Sequence, residues 1–252
     1  MSDKPLVSCL CCTYGRPVLL GETLKCFLDQ SYSNKELIIV NDQEGVTLKL
    51  ESDYPGVQLH NCSKRFDSLG QKRNYVKSLA KGEFYCIWDD DDLYAPFRLS
   101  DSVDLMNSIK DYDIMKTRCA FMSTHNKDYR IVSNLFHSQS VITKDYAVRF
   151  NYPDKSVGED MDFENKARVY NVDVIPWYVY RWGLNIHHLS GISDEKESWK
   201  RTLTFESYQG MSGEIVIKPE FKNNYWSEIR SVLVKTHPKW ARQWDEKTKN
   251  IA

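Results

Sequence analysis

Four consecutive carboxylates, Asp89 to Asp92, follow the run Phe84-Tyr85-Cys86-Ile87-Trp88 and end before Leu93-Tyr94-Ala95-Pro96. Like charges packed this tightly repel one another, and a solvated acidic loop is the simplest way to relieve them. The flanking residues point to a different use. The preceding run reads as a buried strand. Pro96, followed by Leu99, Val103 and Met106 at helical spacing, reads as a helix start. The carboxylates then stand at the carboxyl end of a strand, where open α/β sheets bind ligands. Hard cations take oxygen ligands, so a carboxylate pair here suits Mg2+ or Mn2+ held against a diphosphate. A calcium EF-hand loop is excluded. Its best register puts Tyr94 where the third oxygen ligand belongs, and the turn glycine is missing.

Two other strand ends carry polar groups. Leu6 to Cys12 is an apolar run that stops at Thr13-Tyr14-Gly15-Arg16-Pro17, and Glu36 to Val40 stops at Asn41-Asp42. Tyr14 can stack on a nucleotide base, Asp42 can accept a base N–H, and the acidic run can hold ribose hydroxyls and a metal. The chain has neither G-x-x-x-x-G-K-[ST] nor G-x-G-x-x-G. A diphosphate bound here therefore needs a metal to screen its charge.

The elements that must position these groups alternate. After the first strand, Leu20, Leu24, Phe27 and Leu28 form a helical stripe. The Glu36–Val40 strand and a short strand near Val57–Leu59 follow. A helix carrying Leu69, Val76, Leu79 and Ala80 then leads into the strand before the aspartates. Strand–helix alternation implies a mostly parallel sheet with right-handed crossovers. Further on, Asp113–Ala120 and Gln139–Thr143 read as strands. Gly158 opens a helix to about Tyr170, and Val172–Tyr180 reads as a strand. Residues 194–252 mix charge with exposed-type aromatics (Trp199, Tyr208, Tyr225, Trp226, Trp240, Trp244) and read as a mostly helical appendage to a domain spanning 1–193.

The 252 residues, 41% of them hydrophobic, allow one sizeable core or a core plus a small appendage. No apolar run approaches the roughly 20 residues of a membrane span, and the apolar stretch from Leu6 breaks at Thr13, which excludes a signal-peptide core. Seven cysteines at no zinc-like spacing indicate a reduced, cytoplasmic chain. A net charge of -1 argues against a strong global field for nucleic acid.

The motifs together resemble family 2 glycosyltransferases of the GT-A fold. Thr13-Tyr14-Gly15-Arg16 is similar to that family's P-T-Y-N-R. Gln30-Ser31-Tyr32 with Glu36-Leu37-Ile38-Ile39-Val40-Asn41-Asp42 is similar to its Q-x-Y and E-I-I-V-V-D-D. Gly70 with Arg73-Asn74 resembles G-x-x-x-A-R-N. Trp88-Asp89-Asp90-Asp91-Asp92 with Pro96 and Leu99 resembles L-D-x-D-D…P…L, and Glu159-Asp160-Met161-Asp162-Phe163 resembles E-D-x-D-F/L. Cys12, Gly15, Asn41 and Lys72 depart from the pattern, and none removes a group the chemistry needs.

The resemblance implies a Rossmann-like, mostly parallel sheet flanked by helices, and a nucleotide-sugar donor, UDP-linked, with Mn2+ or Mg2+. It implies donor contacts from Thr13, Tyr14, Arg16, Asp42, Arg73, Asp89 and Asp90, and a metal on Asp91. It implies Asp160 as general base in a single displacement with inversion. Each assignment has a plainer counterpart. Glu159, Asp160 and Asp162 also suit a helix N-terminus, and Arg73 is either a diphosphate contact or a partner for the aspartates. His187 and His188 point opposite ways on an extended segment, so only one can join the metal, with His188 the candidate. Trp177, Tyr180 and Trp182 suit either a sugar platform or the core.

The acceptor expected by default is a glycan hydroxyl. A hydroxylated base in DNA is an alternative, because Lys218–Lys249 is net basic with Trp226, Trp240 and Trp244 interleaved. A catalytically silent nucleotide-sugar-binding module is another. A sugar nucleotidyltransferase is disfavoured, since Thr13–Gly21 lacks the glycine-rich loop it needs.

Overall fold

The computed structural model describes residues 4–124, 126–182 and 212–249. Its main sheet comprises β1 (Val7–Thr13), β2 (Lys35–Asn41), β4 (Val57–Asn61), β5 (Phe84–Ile87), β7 (Ile114–Thr117), β10 (Val141–Thr143) and β11 (Val169–Val172), in the order β11-β7-β10-β5-β1-β2-β4. The pairs β1–β2, β1–β5, β2–β4 and β7–β11 are parallel, whereas β10 runs antiparallel to both neighbours.

Alternation along the strands explains the layers. Cys9 and Cys11 of β1, Leu37 and Ile39 of β2, and Cys86 of β5 join one core. Leu10, Cys12, Ile38, Val40, Tyr85 and Ile87 join the other. The period-2 strand pattern thus feeds two apolar faces. Leu20, Leu24 and Phe27 of α1 (Pro17–Leu28) and Leu99, Val103 and Met106 of α3 (Arg98–Ser108) cover the first. On the second lie Val76 of α2 (Leu69–Leu79), Tyr146 and Ala147 of α4 (Lys144–Arg149), and Phe163 of α5 (Glu159–Glu164). The cysteines are all free, and five are buried among these side chains as small hydrophobes.

Beside this sheet stand a four-stranded one, ordered β6 (Leu93–Tyr94), β12 (Tyr178–Trp182), β8 (Ala120–Thr124), β9 (Lys127–Val132), and a parallel pair of β3 (Val46–Leu50) with β13 (Gly213–Ile217).

The second half departs from the sequence expectations at several places. The helix opened by Gly158 ends at Glu164, not near Tyr170, because Val169–Val172 pairs with β7. Val172–Tyr180 is the end of one strand and the start of another. Ile175 and Trp177 between them are buried, so the apolar run records burial without strand pairing. Asp113–Ala120 divides into β7 and the start of β8, and a 3-10 turn, His137–Gln139, precedes β10.

The C-terminal helices α6 (Tyr225–Thr236) and α7 (Pro238–Thr248) carry Tyr225 and Trp244 inside the core that holds β1, not as exposed aromatics. Tyr225, Ile229 and Leu233 recur every four residues, the spacing of a helix face turned inward. Full burial of each such side chain contributes about 1.5–3 kcal/mol. The 193/194 boundary falls outside the described residues.

Candidate active site

The acidic run leaves β5 and is held by three arginines. Arg16 follows the end of β1 through Gly15 and immediately precedes α1. Its Nε and Nη2 reach the two oxygens of Asp90 at 3.1 and 2.6 Å, and its Nη1 reaches Asp91 Oδ2 at 2.6 Å. Arg73, on α2, lies 3.5 Å from Asp89 and donates from Nε to Glu159 Oε1 at 3.1 Å. Arg181, on β12, donates its side chain to the Asp91 carbonyl and its backbone N–H to Asp92 Oδ1 at 3.0 Å.

Asp92 is closed on its other oxygen by the Tyr178 hydroxyl at 2.6 Å. Asp89 accepts from the Ser138 hydroxyl, and buried Arg98 donates to the Ser138 carbonyl at 2.9 Å. Thr23 of α1 donates its hydroxyl to the Asp92 carbonyl at 3.2 Å. Every carboxylate thus has an anchor, Asp90 and Asp91 sharing Arg16, which answers the repulsion that four adjacent charges create. Burial and the neighbouring carboxylates still outweigh Arg16 at Asp90, whose pKa is raised to about 6. Burial raises that of Asp92 well above the usual carboxylate range.

Asp89 to Asp92 line a cleft of about 370 Å³ together with Arg16, Arg73, Glu159 and Asp160. Two glycines set its far wall. Gly70 lets α2 approach the Pro153 carbonyl so closely that an added Cβ would sit 1.8 Å from that oxygen. Gly158, at φ +70°, turns the chain into α5. Asp160 in the first turn of α5 is half-buried, and its Oδ1 accepts the Met161 N–H at 2.8 Å. Its neighbour Glu159 faces inward, and burial raises its pKa despite Arg73.

His137, which also lines the cleft, donates from Nδ1 to Glu164 at 2.5 Å and meets the Tyr152 hydroxyl at 2.9 Å. Burial alone would raise Glu164, but His137 and Lys116 hold it down at about 2. Cys12 also lines the cleft, and burial pushes its thiol up to about 12, too high for a thiolate nucleophile.

Of the residues singled out by sequence, Arg16, Arg73, Asp89, Asp90, Asp91 and Asp160 converge on this cleft. Thr13 is buried at the end of β1, and its carbonyl accepts from Lys72 at 2.6 Å. Asp42, only 1% exposed, is ion-paired with Lys72 and accepts the Phe66 N–H at 3.1 Å. Tyr14 carries the Arg65 guanidinium 4.4 Å from its ring centre. Neither Tyr14 nor Asp42 lines the cleft. Trp177 is core, Tyr180 lines the cleft stacked 4.5 Å from Phe136, and Trp182 is exposed. His187 and His188 lie outside the described residues.

Sequence reasoning missed Glu159, His137, Ser138 and Lys72 as contributors. Glu159 was available as the acid preceding Asp160, whereas the others carry no local signal. In the basic C-terminal segment, Trp244 is buried against Phe97 and Phe121 (5.3 and 6.1 Å between ring centres), so it presents no face for a nucleic-acid base.

A larger cleft, about 430 Å³, lies between α3, residues 173–175 and α7, but there Asp101 is closed by Lys247 at 2.7 Å. The arginines and the run of aspartates lie in the first.

Among the described residues no three His, Cys, Asp or Glu side chains form a ready metal cage. Mg2+ and Mn2+ in nucleotide sites need fewer, because one or two carboxylates and the phosphates complete their shell. Asp91 and Asp89, both lining the cleft, offer carboxylate oxygens that fit that sparse donor set.

Residues 8–165 match the model of "Glycosyl transferase family 2". An uncharacterized glycosyltransferase of Methanocaldococcus jannaschii is 25% identical over 224 residues, 77% of either chain. A putative colanic acid biosynthesis glycosyl transferase of Escherichia coli is 35% identical over 108 residues, 40% of this chain and 37% of that one. The match spans only 18%, 20% and 35% of three glycosyltransferases from Rickettsia species. Among solved structures, S. aureus TarS 1–349 in complex with UDP-GlcNAc superposes with a TM-score of 0.56 at 13% identity, covering 96% of this chain and 70% of that one. The mannosyltransferase PcManGT of Pyrobaculum calidifontis, in complex with GDP-Man and Mn2+, gives 0.53 at 14% identity, covering 98% and 75%. At such identities the structural likeness concerns the fold, which is GT-A.

Proposed function

This chain belongs to glycosyl transferase family 2, and from that premise we propose that it is a glycosyltransferase that moves a sugar from a UDP-linked donor to an acceptor hydroxyl with inversion, aided by Mn2+ or Mg2+. One observation carries the reading. Asp160 and the Asp89–Asp91 run, far apart in sequence, face the same cleft of about 370 Å³. The cleft is lined both by carboxylates suited to a metal–diphosphate and by a carboxylate at a helix start.

Asp91, with Asp89 beside it, would hold the metal, which screens the charge that develops on the departing diphosphate. Arg16 and Arg73 supply guanidinium forks matched to phosphate oxygens. Asp160 takes the proton of the acceptor hydroxyl as it attacks. Glu159, also in the cleft, is paired with Arg73, so Asp160 is read as the α5 acid that works on the acceptor. The aromatic wall of Tyr178, Tyr180 and Phe136 supplies apolar faces for sugar C–H groups. Asp42 and Tyr14 are read as base contacts. That role requires Asp42 to share itself between Lys72 and the base. The acceptor is read as a glycan. No described feature favours DNA over it.

The test is Asp160→Asn, which keeps shape and removes the proton acceptor. Loss of a general base lowers kcat by about 10²- to 10⁴-fold, with UDP affinity nearly unchanged. A near-normal kcat would remove Asp160 from the role. A product that retains the donor's anomeric configuration would exclude the single displacement. A silent binding module would release no UDP from any nucleotide sugar, whichever residue is changed.

A further inference from the structure

We propose that Glu164 is a positioning residue of the reaction: it fixes α5, and with it the Asp160 carboxylate, against the turn that anchors Asp89. The inference rests on reading Asp160 as the general base.

Helix α5 has six residues, starts at a glycine with φ +70° and has no side-chain cap. A helix that short has little stability of its own, so its orientation is set by whatever holds its side chains. Asp160 and Glu164 stand one turn apart on the same face, and a rotation of α5 that moves one moves the other. The Glu164 carboxylate takes donors from three buried residues. Lys116 of β7 reaches Oε2 at 2.5 Å, and Oε1 accepts from His137 Nδ1 at 2.5 Å and from the Ser140 hydroxyl at 3.0 Å. Hydrogen bonds to an ionised acceptor are roughly twice as strong as neutral ones. Against burial, which would raise it, His137 and Lys116 keep the Glu164 pKa at about 2.

The turn His137–Gln139 serves both ends of the cleft chemistry. Ser138 donates to Asp89, and His137, beside it in the chain, donates to Glu164. Two adjacent residues thus join the acidic run to α5. The other His137 nitrogen meets the Tyr152 hydroxyl, and the Tyr152 ring stacks on Phe163 of α5 with 4.1 Å between ring centres. Arg73 makes a second link, from Asp89 to Glu159, but all three of these line the cleft, where phosphate oxygens compete for a guanidinium. Glu164 does not line the cleft, so it acts through Asp160 and not on the substrate.

The test measures UDP release in Mn2+, with water as acceptor, from whichever of UDP-glucose, UDP-galactose and UDP-GlcNAc the natural chain turns over fastest. UDP affinity is measured beside it by calorimetry. The variants are Glu164→Ala, Glu164→Gln, Asp160→Asn and the double variant Asp160→Asn/Glu164→Ala. A misplacement of about 1 Å costs about 10²-fold in rate, so Glu164→Ala should lower kcat by about that factor with UDP affinity unchanged. Glu164→Gln keeps the length and an acceptor oxygen and should restore most of the loss. Residues that act as a unit are not additive, so Glu164→Ala should lower kcat little further once Asp160 is Asn.

A near-normal kcat in Glu164→Ala overturns the proposal. So does a full additive loss in the double variant, because Glu164 then acts on something other than Asp160. A fall in UDP affinity that matches the fall in kcat also overturns it, since the effect then lies at the donor. If Asp160→Asn keeps its kcat, or the natural chain releases UDP from none of the three sugars, the reading of the cleft fails and the inference with it. Circular dichroism of each variant establishes folding. Should Glu164→Ala misfold by stranding the buried Lys116 charge, Glu164→Ala/Lys116→Met removes that charge and is measured in its place.

Discussion

The acidic run has two sides, and they are built on different terms. On the cleft side, Asp89, Asp90 and Asp91 meet Arg73 and Arg16, cations whose side chains are partly open to water. On the inner side, Asp92 and the Asp91 carbonyl meet Arg181 and Tyr178, both buried, although Asp92 and Tyr178 also border the cleft. Arg181 is in turn clamped by Glu22 of α1, and Glu22 also accepts the Tyr225 hydroxyl of α6 at 2.5 Å and the Lys222 N–H at 2.9 Å. The inner contacts join four parts of the chain in one dry network. The front contacts border the cleft. A loop that must hold a fixed shape and still release oxygens to a substrate needs both kinds of partner. Water and substrate can replace a half-open ion pair, whereas nothing replaces a buried one.

The largest expected effect lies on the inner side. Glu22→Ala leaves the Arg181 charge buried without its carboxylate and should cost about 3–5 kcal/mol in urea unfolding. Arg16→Ala at the front strips a part-open partner from buried Asp90, which can take up a proton, and should cost less, about 1–3 kcal/mol in the same assay. Comparable losses for both would erase the distinction.

A smaller contrast separates two hydroxyls. Tyr178→Phe removes a buried donor to Asp92 and should lower stability by about 1.5–3 kcal/mol, the range for hydrogen bonds to charged groups. Ser138→Ala removes the equivalent donor from Asp89, whose side chain is 23% exposed. Water can replace that hydroxyl, so stability should change less and the defect should fall on UDP affinity instead. A stability loss from Ser138→Ala as large as that from Tyr178→Phe would contradict the contrast.

The smallest signal is a slope with pH. Asp90 titrates near 6 in the folded chain, above its unfolded value, so the folded state binds more protons between about pH 4 and 6. Its contribution to stability then falls as pH rises through that window. Glu164, held at about 2, works the other way. Its contribution is present above the unfolded value and is lost as pH falls toward 2. Thermal melts of Asp90→Asn between pH 4 and 7 should therefore show a shallower decline with rising pH than the natural chain. An unchanged profile would mean that Arg16 neutralises Asp90 fully.

How much of this was legible beforehand follows from how local each signal is. The first three main-sheet strands, the helices between them and the acidic strand end announced themselves, because each is a short run with its own period. Arg16, Arg73, Asp89–Asp91 and Asp160 stand out in ordered motifs and line one cleft, whereas Thr13, Tyr14 and Asp42, from the same motifs, do not. Burial of Tyr225 was available in its spacing with Ile229 and Leu233, but the surrounding charge masked it. The strand limits after Asp113 were not legible, since buried apolar residues such as Trp177 look the same whether or not they pair.

The amino-acid order by itself determined which segments are apolar on which face, and where carboxylates and arginines stand along the chain. Only the tertiary structure decided which charges meet. Asp42 finds Lys72, Arg181 finds Glu22, and Asp90 rather than Asp89 takes the fork of Arg16. The reason is physical. Periodicity is a property of neighbours a few residues apart, but an ion pair between residues 159 positions apart is fixed by how closely helices and sheet can pack. Nothing in the local sequence encodes that distance.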